Sequence, residues 1–108
     1  MSKKEIRANF RNQCLVRDKF SCMMCKFKST PEKALEELDV HHITNRKEII
    51  SGGYVLQNGI TLCHPCHEKA EQFHSTGVAC PGYSVQELYE VIGSSLEKAT
   101  VASEKLKM

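Results

Sequence analysis

The sequence predicts a small α+β domain: two short strands and a helix stapled by a four-cysteine metal site, with further helices flanking them on the N- and C-terminal sides. Three observations predict it. Two Cys-x-x-Cys clips, Cys22/Cys25 and Cys63/Cys66, form two pairs that together complete four sulfur ligands around one tetrahedral zinc. Short β-branched segments at 38–43 and 59–62 flank a long loop containing Ser51-Gly52-Gly53. The segments outside this centre carry apolar residues at helical spacing behind Ser-x-x-Glu caps.

Ser2 and Glu5 make a capping box, and Ile6, Phe10 and Cys14 recur at helical spacing, so a helix is expected from residue 3 to about 18, with Cys14 as a buried small hydrophobe. The segment 20–27 reads as a tight knuckle around the first clip. Thr30-Pro31-Glu32 suits a short helix start, with Thr30 as cap and Pro31 at the first helical position. The strand expected over 38–43 then leads into a loop over 44–58, a length that in a small domain marks function or mobility. A second strand follows at 59–62. Pro65 sits where the first turn of a helix tolerates it, so the second clip should straddle a helix start, with His67 to His74 as helix formers and Gly77 as the stop. Ser84 and Glu87 repeat the capping box, and Val85, Leu88, Tyr89, Ile92 and Leu96 form an apolar stripe read as packing. Gly93 weakens that helix by roughly 1 kcal/mol relative to alanine. One domain is expected over 1–99, its core at about 20–76, with a frayed tail over 100–108.

A chain of 108 residues accommodates one ordinary domain. It has no tryptophan, so a structural metal matters to its stability. The opening Met1-Ser2-Lys3-Lys4-Glu5 lacks the apolar core of a secretory signal, and no stretch is apolar enough to span a membrane. The six cysteines are therefore read as reduced thiols in a cytoplasmic protein. The formal charge of +2 counts those thiols as neutral, whereas zinc held by four thiolates carries about −2, so global charge argues neither for nor against nucleic acid. The distribution is more informative. Arg7, Arg11, Arg17, Lys19, Lys26 and Lys28 cluster in the first third, and Arg46-Lys47 follow the double histidine. Such clusters suit a phosphate backbone as well as a solvated surface.

The stretch between the clips exceeds that of a compact zinc ribbon, so it must form its own substructure. Free thiols or redox chemistry compete with zinc, although no thioredoxin-like βαβ pattern surrounds the clips. Cys14 and Cys80 belong to neither clip and read as ordinary buried or loop cysteines.

The segments Asp39-Val40-His41-His42-Ile43, Gly52-Gly53, Asn58-Gly59-Ile60-Thr61-Leu62 and Cys63-His64-Pro65-Cys66-His67 resemble, in order and spacing, the HNH endonuclease family. The lead-in from Val16 to Cys25 looks like that of its zinc-containing, four-cysteine members. The resemblance implies a ββα-metal core of two antiparallel strands and a helix around one divalent cation. On this chain it implies His42 as general base, His41 and His67 as ligands of the catalytic cation, and Asn58 as brace of the loop between the strands. A neutral imidazole near its ordinary pKa takes a proton from water at neutral pH, which suits in-line attack on phosphorus. Where some family members place a further histidine one turn after His67, this chain has Glu71. Glu71 and His74 both lie on the helical face of His67 and are candidates for a third ligand. Ligand type leaves the cation open among Mg²⁺, Mn²⁺, Ni²⁺ and Zn²⁺. His64 is expected to face solvent.

Adjacent strand residues point to opposite faces, so His41 and His42 reach one phosphate only if the strand ends or twists there, with cation and base on opposite sides of the phosphate. The expected activity is metal-dependent hydrolysis of DNA, with backbone contacts that confer little sequence preference. The competing reading is an inactive zinc module that binds nucleic acid or protein. The small size and the resemblance further suggest a homodimer or a phage-encoded protein partner, or a stand-alone nuclease of the kind found in bacteriophages and mobile elements, working in the host cytoplasm.

Overall fold

The computed structural model describes residues 1–106. The first helix, α1 (Lys3–Arg17), begins with the full capping box: Glu5 N–H donates to the Ser2 hydroxyl, and the Ser2 N–H donates to the Glu5 carboxylate. It buries Ile6, Phe10, Cys14 and Leu15 on one face and ends at Asp18. The chain reverses through Lys19 and Phe20, both left-handed (φ 55° and 56°), into the knuckle of the first clip, where Lys26 is also left-handed (φ 71°). A single bridge between Ser21 and Lys28 closes that knuckle. Thr30 caps only a turn, through its hydroxyl and Lys33 N–H, and the short helix α2 (Ala34–Glu37) starts later than the sequence pattern suggests.

Strand β1 (Leu38–His42) pairs antiparallel with β2 (Gly59–Cys63), in a register that sets Leu38 opposite Cys63, His41 opposite Ile60 and His42 opposite Gly59. Every residue of β2 is buried. Helix α3 (His64–Thr76) follows at once, with Cys63 as its N-cap, Pro65 in its first turn and Gly77 as a left-handed C-cap (φ 81°). The two strands and α3 form the expected ββα unit, and α1 packs on β2 from outside.

A two-stranded sheet is marginal by itself, so outside contacts must hold it. The free edge of β2 is occupied: Asp18 accepts the Thr61 N–H at 3.0 Å, and Met23 N–H donates to the Thr61 carbonyl at 2.9 Å. Arg17 grips Asp18 through two bonds of 2.7 and 2.8 Å, and also donates to the carbonyls of Leu56 and Gly59. This bracket fixes the end of α1 to the start of β2. Close approach there requires Gly59, since a Cβ would collide with Cys14 Sγ and lie 2.6 Å from the Phe10 ring.

The expected single C-terminal helix is two. Helix α4 (Val85–Val91) carries the Ser84/Glu87 capping box, and α5 (Leu96–Glu104) starts behind Ser95, whose hydroxyl accepts the Lys98 N–H. Gly93, left-handed at φ 67°, breaks the stripe between them, so Leu96 is exposed whereas Leu88 and Tyr89 are buried. The tail expected to fray from residue 100 is helical to Glu104, with Ala99 and Ser103 buried; residues 107 and 108 lie outside the described residues. Among the described residues no helix is long and apolar enough to cross a membrane.

Gly59→Ala is expected to lower stability by about 1–3 kcal/mol through overpacking against α1, with part of the loss recovered when Cys14→Ala makes room. Denaturant unfolding of the two single variants and the double variant checks this. Additive losses would show that the two sites do not press on one another.

Candidate functional site

The four clip sulfurs gather at one end of the ββα unit. Cys22 and Cys25 come from the knuckle, Cys63 from the end of β2 and Cys66 from the first turn of α3, and all four ligand atoms lie within 4.8 Å of one another. Cys25 and Cys63 Sγ are 3.5 Å apart, and none of the six cysteines is in a disulfide. Burial pushes the Cys22 thiol up, but the N–H groups of Cys25, Cys63 and Met24 outweigh it and bring the thiol down to about 7. Burial lifts Cys63 to about 12 and raises Cys66 as well. Four converging sulfurs outside any disulfide fit a thiophilic cation, which would take all four as thiolates. The cluster therefore suits a structural metal such as zinc.

Asn58 closes the other end of the strand pair. It is wholly buried, and its amide makes four bonds: Oδ1 accepts from Thr44 N–H (2.9 Å) and the Tyr89 hydroxyl (2.7 Å), and Nδ2 donates to the carbonyls of Thr44 (3.2 Å) and Gly53 (3.1 Å). Gly53 is left-handed (φ 66°), and a Cβ there would lie 2.5 Å from Asn58 Nδ2. The long loop is thus pinned at two residues, Thr44 and Gly53, by three bonds from one side chain. Tyr89 belongs to this polar network, its hydroxyl 2.6 Å from Thr44 Oγ1, and so does more than pack.

Strand alternation sends the two histidines of β1 to opposite faces. His41 faces α3, its ring 5.2 Å from that of His67 and 5.1 Å, nearly parallel, from that of His74. It is buried, and neither ring nitrogen has a hydrogen-bond partner. Glu71 Oε1 lies 3.3 Å from His41 Nδ1 and 3.4 Å from His67 Nε2. One ligand atom each from His41, Glu71 and His74 lies within 4.8 Å of the others. His67 stands on the rim of that group, with its Nδ1 3.2 Å from Asp39 Oδ2. Burial, with His67, His74 and His42 nearby, pushes His41 down to about 3, so the ring is neutral at pH 7 and its lone pair is free. An orphaned, neutral, buried imidazole beside a carboxylate and two further imidazoles fits a divalent cation.

His42 points the other way, wedged between Phe10 and Tyr54 with ring centroids 4.6 Å from each. Burial, then the charges of Arg46 and His74, push it down to about 4. It lines a cavity of about 350 Å³ that it shares with Arg7 and Arg11 of α1, Arg46 of the loop, and His67 and Glu71 of α3. The cavity therefore touches the base candidate and two of the cation candidates, His67 and Glu71, although His41 points away from His42. Tyr54 organises its wall, accepting a bond from Arg46 at 3.0 Å and lying 5.6 Å beneath the Arg7 guanidinium.

Asp39 went unassigned in the sequence, yet it bridges His67 and His64, the latter at 2.6 Å. Its place two residues before His41 was the available signal, since strand alternation puts both on one face. His64 is exposed as expected, but it is not free, because its second ring nitrogen meets the Glu36 carbonyl at 2.7 Å. The Asp39 contact, aided by that carbonyl, raises its pKa.

No curated protein and no solved structure matches the chain. The family model described as HNH endonuclease matches residues 22–73, from the first clip cysteine through the ββα unit to the penultimate turns of α3. With four cysteines positioned to bind a metal ion and two antiparallel strands followed by a helix, residues 22–73 are similar to the HNH endonuclease family.

Proposed function

We propose that the chain is a metal-dependent endonuclease that hydrolyses DNA phosphodiester bonds in the cytoplasm. The observation that carries this reading is the shared cavity, with His42 on one wall, His67 and Glu71 on another, and three arginines around it. His42 acts as general base. Phe10 and Tyr54 hold its ring in one orientation, and burial keeps it neutral and able to accept a proton from water. A pKa near 4 makes for a weak base, but a phosphodiester anion beside the ring favours the charged form and draws its pKa toward neutrality. Arg46, with Arg7 and Arg11, holds the phosphate by charge-assisted bonds. Asn58 acts at one remove, fixing the loop from which Arg46 and Tyr54 project.

His41 and His67 hold the catalytic divalent cation, with Glu71 as a third ligand, and Asp39 orients His67 through Nδ1. When bound, the cation supplies positive charge to the pentavalent phosphorus and the departing 3′ oxygen. The four cysteines hold a structural zinc.

Plasmid DNA incubated with Mg²⁺, Mn²⁺, Ni²⁺ or Zn²⁺ is expected to be nicked or linearised, with the rate in His42→Ala lower by about 10²–10⁴-fold and its circular dichroism unchanged. Unaltered cleavage by that variant would remove the proposed base. Arg11→Ala is expected to weaken DNA binding for all sequences alike, and to reduce the slope of log affinity against log salt by about 0.9. Fluorescence anisotropy over a salt series measures this. For the cysteine site, elemental analysis should find zinc, and the four clip thiols should resist thiol reagents until a chelator is added, whereupon thermal stability collapses. Thiols that react freely in the folded protein would reject the assignment.

A further inference from the structure

His74 lies two turns beyond His67 on α3, outside the segment matched to the family, and meets β1 side by side with His41. Its Nε2 is 3.0 Å from the backbone carbonyl of His42. A carbonyl oxygen only accepts, so Nε2 carries the proton, and in a neutral ring the lone pair is then left on Nδ1. That Nδ1 is buried and has no hydrogen-bond partner. The nearest ring, His41, is wholly buried with both nitrogens equally unpartnered, and Glu71 completes a group whose ligand atoms lie within 4.8 Å of one another. Three buried imidazole nitrogens without a partner are costly unless something meets them, and each nitrogen with a lone pair accepts from a donor or binds a cation. Among the groups facing this pocket, none is a donor to His74 Nδ1.

We propose that His74, through Nδ1, is a further ligand of the cation held by His41, His67 and Glu71, and that its Nε2–H bond to the His42 carbonyl ties that cation to the strand carrying the base. The inference rests on the cation site proposed above and adds to it. A side chain that binds the cation with one nitrogen and the backbone of the base with the other sets the distance between them, as outer hydrogen bonds orient metal-bound histidines elsewhere. Three imidazoles and one carboxylate also favour borderline transition ions over Mg²⁺, which prefers oxygen ligands and keeps its waters.

The test uses the full chain with its cysteine site already filled with zinc, titrated with Ni²⁺ by calorimetry. Wild type is expected to bind Ni²⁺, and His74→Gln, which can still donate to the His42 carbonyl, to bind it at least ~10-fold more weakly. His67→Ala serves as the companion variant. If His74→Gln binds as tightly as wild type while His67→Ala does not, the role of His74 is overturned and the cation site stands. If wild type binds no Ni²⁺, the cation site itself falls, and this inference with it. Independently of any variant, long-range ¹H–¹⁵N spectra of wild type should show His74 protonated on Nε2, with its Nδ1 resonance displaced on adding Zn²⁺. A His74 protonated on Nδ1, or an Nδ1 resonance that ignores the ion while that of His41 moves, would defeat the assignment.

Discussion

The register of one five-residue strand pair governs the rest of this molecule. Side chains alternate across a strand, so a slip of one residue between β1 and β2 would turn His41 toward Tyr54 and His42 toward α3, exchanging a cation candidate for a base candidate. A hairpin of this length does not hold its register unaided. Here it is clamped from three sides. At one end Cys63 is drawn into the sulfur cluster with the first clip. At the other, Asn58 ties the residue after Ile43 to the loop and to Tyr89. Along the outer edge, the Arg17–Asp18 bracket takes the Thr61 N–H and the Gly59 carbonyl. Each clamp comes from a different part of the chain, and the Asn58 and Arg17–Asp18 clamps act on the backbone, where register is decided.

The two faces so defined differ electrostatically. On the α3 side, His41 is enclosed with imidazoles and a carboxylate, and burial removes its tendency to protonate. On the α1 side, His42 is enclosed by two aromatic rings and faces guanidinium groups. Burial first, and then the positive charge of Arg46, disfavour a charged imidazole there, and the same positive surroundings would favour an anion. His64, only one residue from Cys63 and in reach of Asp39, is pushed in the opposite direction. Three histidines of one ordinary pKa are thus separated by surroundings alone.

Much of this was legible in the sequence because it is local. Both capping boxes, the two clips, the strand segments and the helix begun at Pro65 are short-range patterns, and the histidine and asparagine motifs carry the likeness to the HNH endonuclease family through their order. What escaped depends on contacts across the fold. The stripe from Val85 to Leu96 is a sound helical pattern, but Gly93 adopts a left-handed turn that lets α5 fold back on the loop, where Ser94 bonds the Gln57 carbonyl. Tyr89 looked like one more apolar residue, and only its hydroxyl, placed by tertiary packing beside Asn58 and Thr44, gives it a second task. The arginines of α1 were visible as charge but not as cavity wall. Asp39 could have been found by counting in twos from His41.

Helix α3 unites the two metal-capable groups. Its first turn contributes Cys66 to the sulfur cluster, and the turns that follow present His67, Glu71 and His74 to β1. A helix is stiff over this length, so fixing its N-terminus through Cys63 and Cys66 fixes the direction in which the later side chains project. The knuckle is held to β2 as well, through Met23 N–H and the Thr61 carbonyl, which gives the cluster a second anchor on the same strand. A structural ion at the cysteines would therefore contribute to stability and also set the geometry of the imidazoles a few turns away. The dependence would run one way: an ion in the histidine pocket would meet a helix already anchored at its other end, and could leave without dismantling the fold.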